Sequence, residues 1–365
     1  MARSRSYIAT PPGATIKEQL EDRGMTQKEF ASRMGMSEKH ISHLINGDVK
    51  LTSDVAYRLE MVLGLSAKFW NNLESLYREK LAMVDAENAL DSDIELARKF
   101  PYKEMAKYGW VPDSSKIEDR VINLRKFFEV VQLCKLENTS LIPAIAYRRL
   151  SITEKSDFSS IAWAQKVKIE ARTIKTSPID LSKIREHLSL IRAMTVKTPE
   201  EFCGELCELL GNCGVALVFL PHIHGSFLHG ATFYDKGKIV IGLTVRGKDA
   251  DKFWFSLFHE IGHILLGHLN QSNGLDKSAE KAANQFAKDT LIPMDDFDAF
   301  VKRDSFTKES LLEFADKIGI APGIVVGRLQ KEEYLEFNQY NDLKAISLSD
   351  FFHTYTKNIF YFFYE

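Results

Sequence analysis

The sequence predicts a multidomain, mostly α protein: an all-α amino-terminal module, a helical connector, and an α+β carboxy-terminal module with a small sheet. Three observations carry this reading. Helical spacing from Gln27 is interrupted by Gly35 and resumes at Ser37. Three short apolar runs between Val215 and Leu243 have strand length and turn-like flanks. Two amphipathic helical patterns then follow, the first containing His259, Glu260 and His263. The expected boundaries are 1–80, 81–212, 213–335 and an aromatic tail over 336–365.

In the first module, the spacing of Phe30, Ala31, Met34, Gly35, Met36, Ile41 and Leu44 fits a helix-turn-helix. The small Ala31 falls where two helices cross, and Gly35 falls in the turn. Ser37 is a good N-cap for a recognition helix over Glu38 to Ile45. Its outward residues Ser37, Glu38, Lys39, Ser42 and His43 are candidates for base contacts, whereas Gln27 and Lys28 suit phosphate contacts. A plain helical bundle that never meets DNA has the same pattern and stands as the alternative. His40 and His43 have no nearby Cys or carboxylate partner of the right kind for a metal.

A resemblance narrows this choice. Leu20-Glu21-Asp22-Arg23-Gly24-Met25-Thr26-Gln27-Lys28-Glu29-Phe30-Ala31, Ile41-Ser42-x-Leu44-Ile45-Asn46-Gly47 and Ala67-Lys68-Phe69-Trp70-x-Asn72-Leu73 resemble the HigA-type antitoxin branch of the phage-repressor-like helix-turn-helix proteins, over about residues 11 to 80. The resemblance implies operator DNA as a partner, a homodimer, and for some members a toxin partner.

From about Ala82 to Leu210 the periodicity is helical and is broken at Pro101, Pro112, Pro143, Pro178 and Pro199. Charged faces such as Lys166-x-Lys168-x-Glu170-x-Arg172 read as solvated surface. No residue here suggests chemistry.

The third module opens with Val215 to Leu220, a short apolar strand between Gly214 and Pro221. Leu228 to Tyr234 and Lys238 to Leu243 flank Asp235-Lys236-Gly237, a hairpin signal. A small sheet beside two helices follows, and one of its strands is a candidate cradle for extended peptide. The helix carrying His259-Glu260-Ile261-Gly262-His263 places both histidines on one face, four residues apart, where both imidazoles reach one Zn²⁺. Glu260 can then take a proton from metal-bound water. The alternative is a core helix with two satisfied histidines, which would leave Glu260 among Phe255, Leu257, Phe258, Ile261 and Ile264, where a carboxylate lacking a partner is costly. His268 is one residue too early for an extended three-histidine site. The second helical pattern, closed by Pro293, offers Glu280 as a carboxylate, with a solvated first-turn acid as the alternative. Asn284, one turn along, can hydrogen-bond the outer nitrogen of a histidine ligand.

Phe253 through Leu266, with Glu280-x-x-Ala283-Asn284-x-Phe286-Ala287, Leu291-Ile292-Pro293 and Ile320 to Gln330, resembles the ImmA/IrrE family of zinc metallopeptidases, over most of 214 to 332. The resemblance implies a compact gluzincin-like fold, Zn²⁺ held by His259, His263 and Glu280, and Glu260 as base in attack of metal-bound hydroxide on a peptide carbonyl. Since peptidase and operator binder share one chain, the expected protein substrate is a partner repressor or a toxin encoded nearby, or the chain itself.

Composition sets outer limits. With 365 residues, 45% of them hydrophobic, the chain can bury two or three cores. A net charge of −2 gives no global attraction for nucleic acid, so DNA binding must use a local surface such as Arg3, Arg5, Lys28, Arg33, Lys39 and Lys50. No signal peptide or membrane span is legible, and four cysteines without evident pairing fit a reducing cytoplasm. Cys203, Cys207 and Cys213 read as buried apolar groups rather than a second zinc site. The tail from Phe351 to Tyr364 is too short to span a bilayer and is expected to pack on the domain or on a partner chain, or to plug the zinc cleft.

Overall fold

The computed structural model describes residues 2–4, 6–137, 154–226, 228–245, 250–270 and 277–344. Arg5, Pro143 and the aromatic run Phe351–Tyr364 of the tail lie outside the described residues. The chain divides into two compact units, Met1–Leu96 with Lys116–Val121, and Ala97–Ser115 with Ile122–Glu365.

The first unit begins with a two-stranded antiparallel pair, β1 (Ala2–Arg3) and β2 (Ile8–Ala9). Five helices follow: α1 (Gly13–Asp22), α2 (Gln27–Met34), α3 (Glu38–Asn46), α4 (Ser53–Leu63) and the long α5 (Ala67–Asn88). The sequence marks their starts chemically. The side chains of Thr26, Ser37, Thr52 and Ser66 each accept an amide hydrogen bond from the third residue of the following helix. Gly35, at φ +64°, closes α2 in the left-handed conformation and turns the chain into α3. Ile16, Phe30, Ala31, Met34, Ile41, Leu44, Leu59 and Trp70 meet in one core, which fixes α2 and α3 as a corner.

Helices α6 (Leu90–Ala97), α7 (Tyr102–Lys107) and α8 (Ile117–Phe128) come next. The second unit then continues with α9 (Glu154–Ala171), α10 (Leu181–Ala193) and α11 (Pro199–Gly211), followed by β3 (Val215–Pro221), β4 (Gly230–Asp235) and β5 (Lys238–Val245). Five further α-helices follow among the described residues: α12 (Ala250–Leu265), α13 (Lys277–Leu291), α14 (Met294–Val301), α15 (Lys308–Ile318) and α16 (Pro322–Lys331). The fold class expected from the sequence is the one observed.

The sheet has the order β3-β5-β4, with β3 parallel to β5 and β4 antiparallel to it. Four strand boundaries differ from expectation. β4 starts at Gly230 rather than Leu228, β3 runs on to Pro221, β5 runs on to Val245 rather than Leu243, and Asp235 joins the ladder opposite Lys238. The hairpin turn is therefore the two residues Lys236 and Gly237, both at positive φ, a geometry that suits the twist of adjacent strands. Among the described residues β3 is an edge strand, where Pro221 is tolerated.

Both sheet faces are covered. Val215, Leu217, Ile239, Ile241 and Leu243 face a large core with Phe202 and Leu206 of α11 and Trp254, Leu257, Phe258 and Ile261 of α12. On the other face, Ala216, Val218, Ala231, Phe233 and Val240 pack against Trp163, Val167 and Ala171 of α9. Helices read from sequence as a connector thus contribute to the cores on both faces of the sheet. On α9 Lys166 pairs with Glu170, and just past its end Arg172 pairs with Glu129, rather than standing free in solvent.

Candidate functional site

Helix α12 is held by its apolar face, on which Trp254, Leu257, Phe258 and Ile261 are all fully buried. This turns His259 and His263 toward α13. The two helices approach closely at Gly262, where a Cβ would lie 3.0 Å from the ring of Phe286 and 3.4 Å from the backbone of Ala283. That approach brings Glu280, in the first turn of α13, to the histidines.

Nε2 of His259 and Nε2 of His263 are 3.0 Å apart. Oε2 of Glu280 lies 3.5 Å from the first and Oε1 lies 3.7 Å from the second. Ligand bonds of about 2.0 to 2.1 Å in a tetrahedron imply donor separations of about 3.3 Å. The observed separations match this edge, so the donor set fits Zn²⁺ held by two imidazoles and a carboxylate. The outer nitrogens are engaged in a compatible way. His259 Nδ1 donates to Oδ1 of Asn284 at 3.0 Å, so the neutral ring would offer Nε2 as a lone pair to a metal. His263 Nδ1 lies 3.0 Å from Nδ1 of His268. Burial pulls the His259 imidazole toward neutrality, but the Glu280 hydrogen bond, the charges of Glu260 and Glu280, and Asn284 outweigh it. Its pKa is raised. A site this attractive to a proton is attractive to a dication.

Glu260, on the same helix, reaches the sheet at β4. It is 7% exposed, and Oγ1 of Thr232 on β4 donates to its Oε2 at 2.6 Å. A Cβ on Gly230 would sit 2.6 Å from Oε1 of Glu260, so the strand can pass this close only with glycine there.

In the first unit, the cap Ser37 and, on α3, Glu38 and Lys39 are exposed and Ser42 and His43 partly so, while Ile41, Leu44 and Ile45 are buried. Gln27 and Lys28 are exposed in the first turn of α2. His43 Nδ1 lies 3.0 Å from Oδ2 of Asp48 just past the helix, and Arg33 pairs with Glu29 on α2.

Comparison with known proteins agrees with both halves. The helix-turn-helix family profile matches residues 16–70. The uncharacterized HTH-type transcriptional regulator YddM of Escherichia coli K12 is 31% identical over 80 residues, which are 22% of this chain and 81% of that protein. The chain belongs to the helix-turn-helix transcriptional regulators. At its other end the regulator carries a peptidase-type domain, since the profile of the IrrE N-terminal-like domain, peptidase M78, matches residues 226–330. Antitoxin HigA-1 of Vibrio cholerae is 44% identical over 57 residues, 16% of the regulator and 53% of the antitoxin. The HTH-type regulator YbaQ of Escherichia coli K12 is 30% identical over 98 residues, 27% of the regulator and 83% of its relative.

Within the regulator, the three residues expected to hold a metal converge, and among the described residues they are the one such cluster of His, Cys, Asp and Glu. The sequence reading gave Thr232 and Gly230 no role in the site, because nothing in a strand pattern says which helical carboxylate its residues face. It also set aside His268 as a ligand without seeing what lies beside it. Among the described residues no helix is long and apolar enough to cross a membrane.

Proposed function

We propose that the regulator is an operator-binding, antitoxin-like protein whose carboxy-terminal domain is a zinc-dependent endopeptidase. The helix-turn-helix module of 1–80 and the peptidase module of 213–335 are its two working parts. The observation that carries the enzymatic half is Glu260, buried and hydrogen-bonded by Thr232, next in sequence to a histidine of a three-donor cluster. A site kept only for structure has no use for a buried carboxylate held beside it.

His259, His263 and Glu280 hold the metal, and Asn284 orients His259. When bound, zinc supplies Lewis acidity toward a peptide carbonyl and lowers the pKa of water in its open position. Glu260 takes the proton of the attacking water and passes it to the leaving amine. Among the described residues β4 pairs only with β5. Because Thr244 N–H donates to His229 O in that ladder, the backbone groups of Gly230, Thr232 and Tyr234 face away from β5. They suit an extended peptide laid alongside the strand.

In the other half, Ser37, Glu38, Lys39, Ser42 and His43 read base edges while Gln27 and Lys28 hold phosphates, in a cytoplasmic homodimer on paired half-sites. The peptidase substrate is a protein encoded nearby, a repressor or a toxin, or the chain itself. The similarity to antitoxin HigA-1 favours a second reading, in which the chain is a non-proteolytic antitoxin or autorepressor and the zinc domain a sensor or scaffold. Metal analysis of the purified protein, with incubation of wild type and Glu260→Gln against the products of adjacent reading frames, separates the two. Cleavage by wild type alone supports the peptidase. Bound zinc with no neighbour cut by either form supports the second reading.

A further inference from the structure

His268 is not a zinc ligand in the proposed site, yet it touches one. Helix α12 ends at Leu265, and Gly267 at φ +75° reverses the chain, so that His268 in the short 3₁₀ turn His268–Asn270 folds back against the helix it has just left. The rings of His263 and His268 then meet edge-on, inclined at 63°, with Nδ1 3.0 Å from Nδ1. Both side chains are buried, at 4% and 8% exposure, so water cannot readily replace either partner.

Two imidazole nitrogens at this distance share one proton, and which ring carries it decides what His263 can do. If His263 Nδ1 holds the proton, its Nε2 is a lone pair directed at His259 and Glu280. If His268 Nδ1 holds it, His263 must carry its proton on Nε2, and that nitrogen cannot ligate. Metal binding therefore needs His268 as the acceptor. We propose that His268 is a positioning residue for the metal centre: it holds His263 in the ligating tautomer by accepting from its Nδ1, as Asn284 does for His259. This rests on the zinc reading given above. The two outer partners are of one kind, neutral acceptors, and neither adds charge to a site that already has two carboxylates beside it.

The test uses full-length protein and zinc itself. Competition with a chromophoric chelator gives zinc affinity for wild type, for His268→Phe, which keeps a ring but has no acceptor, and for His268→Gln, which restores one. His268→Phe is expected to weaken zinc about 10- to 100-fold, and His268→Gln to recover most of the loss. In zinc-loaded wild type with ¹⁵N-labelled histidine, a scalar coupling across Nδ1–H···Nδ1 is expected between these two rings. A His268→Phe protein that holds zinc as tightly as wild type overturns the proposal, and so does a His263 Nδ1 proton bonded to another group. Should the phenylalanine variant fail to fold, the wild-type spectrum decides alone. Wild type that binds no zinc would overturn the metal reading itself, a result distinct from a dispensable His268.

Discussion

Thr232 on an edge strand and Glu260 on the facing helix form a buried 2.6 Å hydrogen bond in which the hydroxyl is the donor. Thr232→Val keeps the shape and removes that donor. The carboxylate then loses a bond it cannot fully regain from water, at a cost of about 1 to 3 kcal/mol. We expect a lower denaturation midpoint and slower peptide cleavage with unchanged zinc content, and Thr232→Ser should restore both. Equal midpoints for the valine and wild-type proteins would remove Thr232 from the site.

Gly230 makes a sharper case. Its Cβ, if present, would lie 2.6 Å from Oε1 and 2.8 Å from Cγ of Glu260, closer than non-bonded carbon and oxygen approach. Gly230→Ala must move either the carboxylate or the strand. Since no metal donor is touched, zinc stoichiometry should stay at the wild-type value while cleavage falls by at least about 10²-fold, the lower bound for loss of a positioned acid–base group. Cleavage at the wild-type rate would show that Glu260 need not sit where it does.

Much of this was legible in the sequence where interactions are local. Thr26, Ser37 and Gly35 announce the ends of α2 and α3, because capping bonds reach only three or four residues. The spacing of His259 and His263 fixes a shared face of α12 for the same reason. The sheet was less legible. β5 is buried on both faces, so Ile239 to Leu243 is uniformly apolar and does not reveal that β3 lies parallel on one side and β4 on the other. Trp163 and Val167 gave no hint of their role, since a helix pattern shows that a face is buried but not against what. His268 depended on one left-handed residue, Gly267, whose effect is to aim the chain back at its own helix.

The raised pKa of His259 sets the sign of a pH dependence. In metal-free protein the protonated imidazole is favoured by folding, so its contribution is full below the unfolded value near 6.5 and is lost as pH rises through the higher folded value. Zinc needs the neutral ring, so its binding runs the other way and strengthens across that same window. At free zinc of 1,000 times Kd the stabilisation is about 4 kcal/mol. Melting curves with and without chelator, taken from about pH 6 to 8, should show the zinc increment growing with pH. An increment that is flat with pH would argue against His259 as a ligand.

The cysteines bear on how many metal ions the chain holds. Burial pushes the Cys207 thiol up to about 12 and the Cys203 thiol higher still, the latter also feeling Cys207 and Glu200. Such groups are neutral thiols at physiological pH and poor nucleophiles. Iodoacetamide should label them slowly in native protein and fast after denaturation, with one zinc per chain throughout. Two zinc ions per chain, one lost on thiol labelling, would restore the second zinc site that the sequence reading set aside.

The outer face of α3 can be altered without touching its core, because Ile41, Leu44 and Ile45 carry the packing and Ser37 keeps the cap. Lys39→Ala with His43→Ala should therefore leave the melting temperature near wild type. The pair His43 and Asp48 is half exposed, so its loss costs little stability. Operator footprinting should nevertheless disappear, since these side chains are the proposed readers of base edges. Lys28→Ala should act differently. It lowers affinity for all sequences alike and reduces the salt dependence of binding by about one ion. A double variant that still protects the operator would mean that another surface reads the sequence. A Lys28 variant that changes specificity would mean that α2, rather than α3, enters the groove.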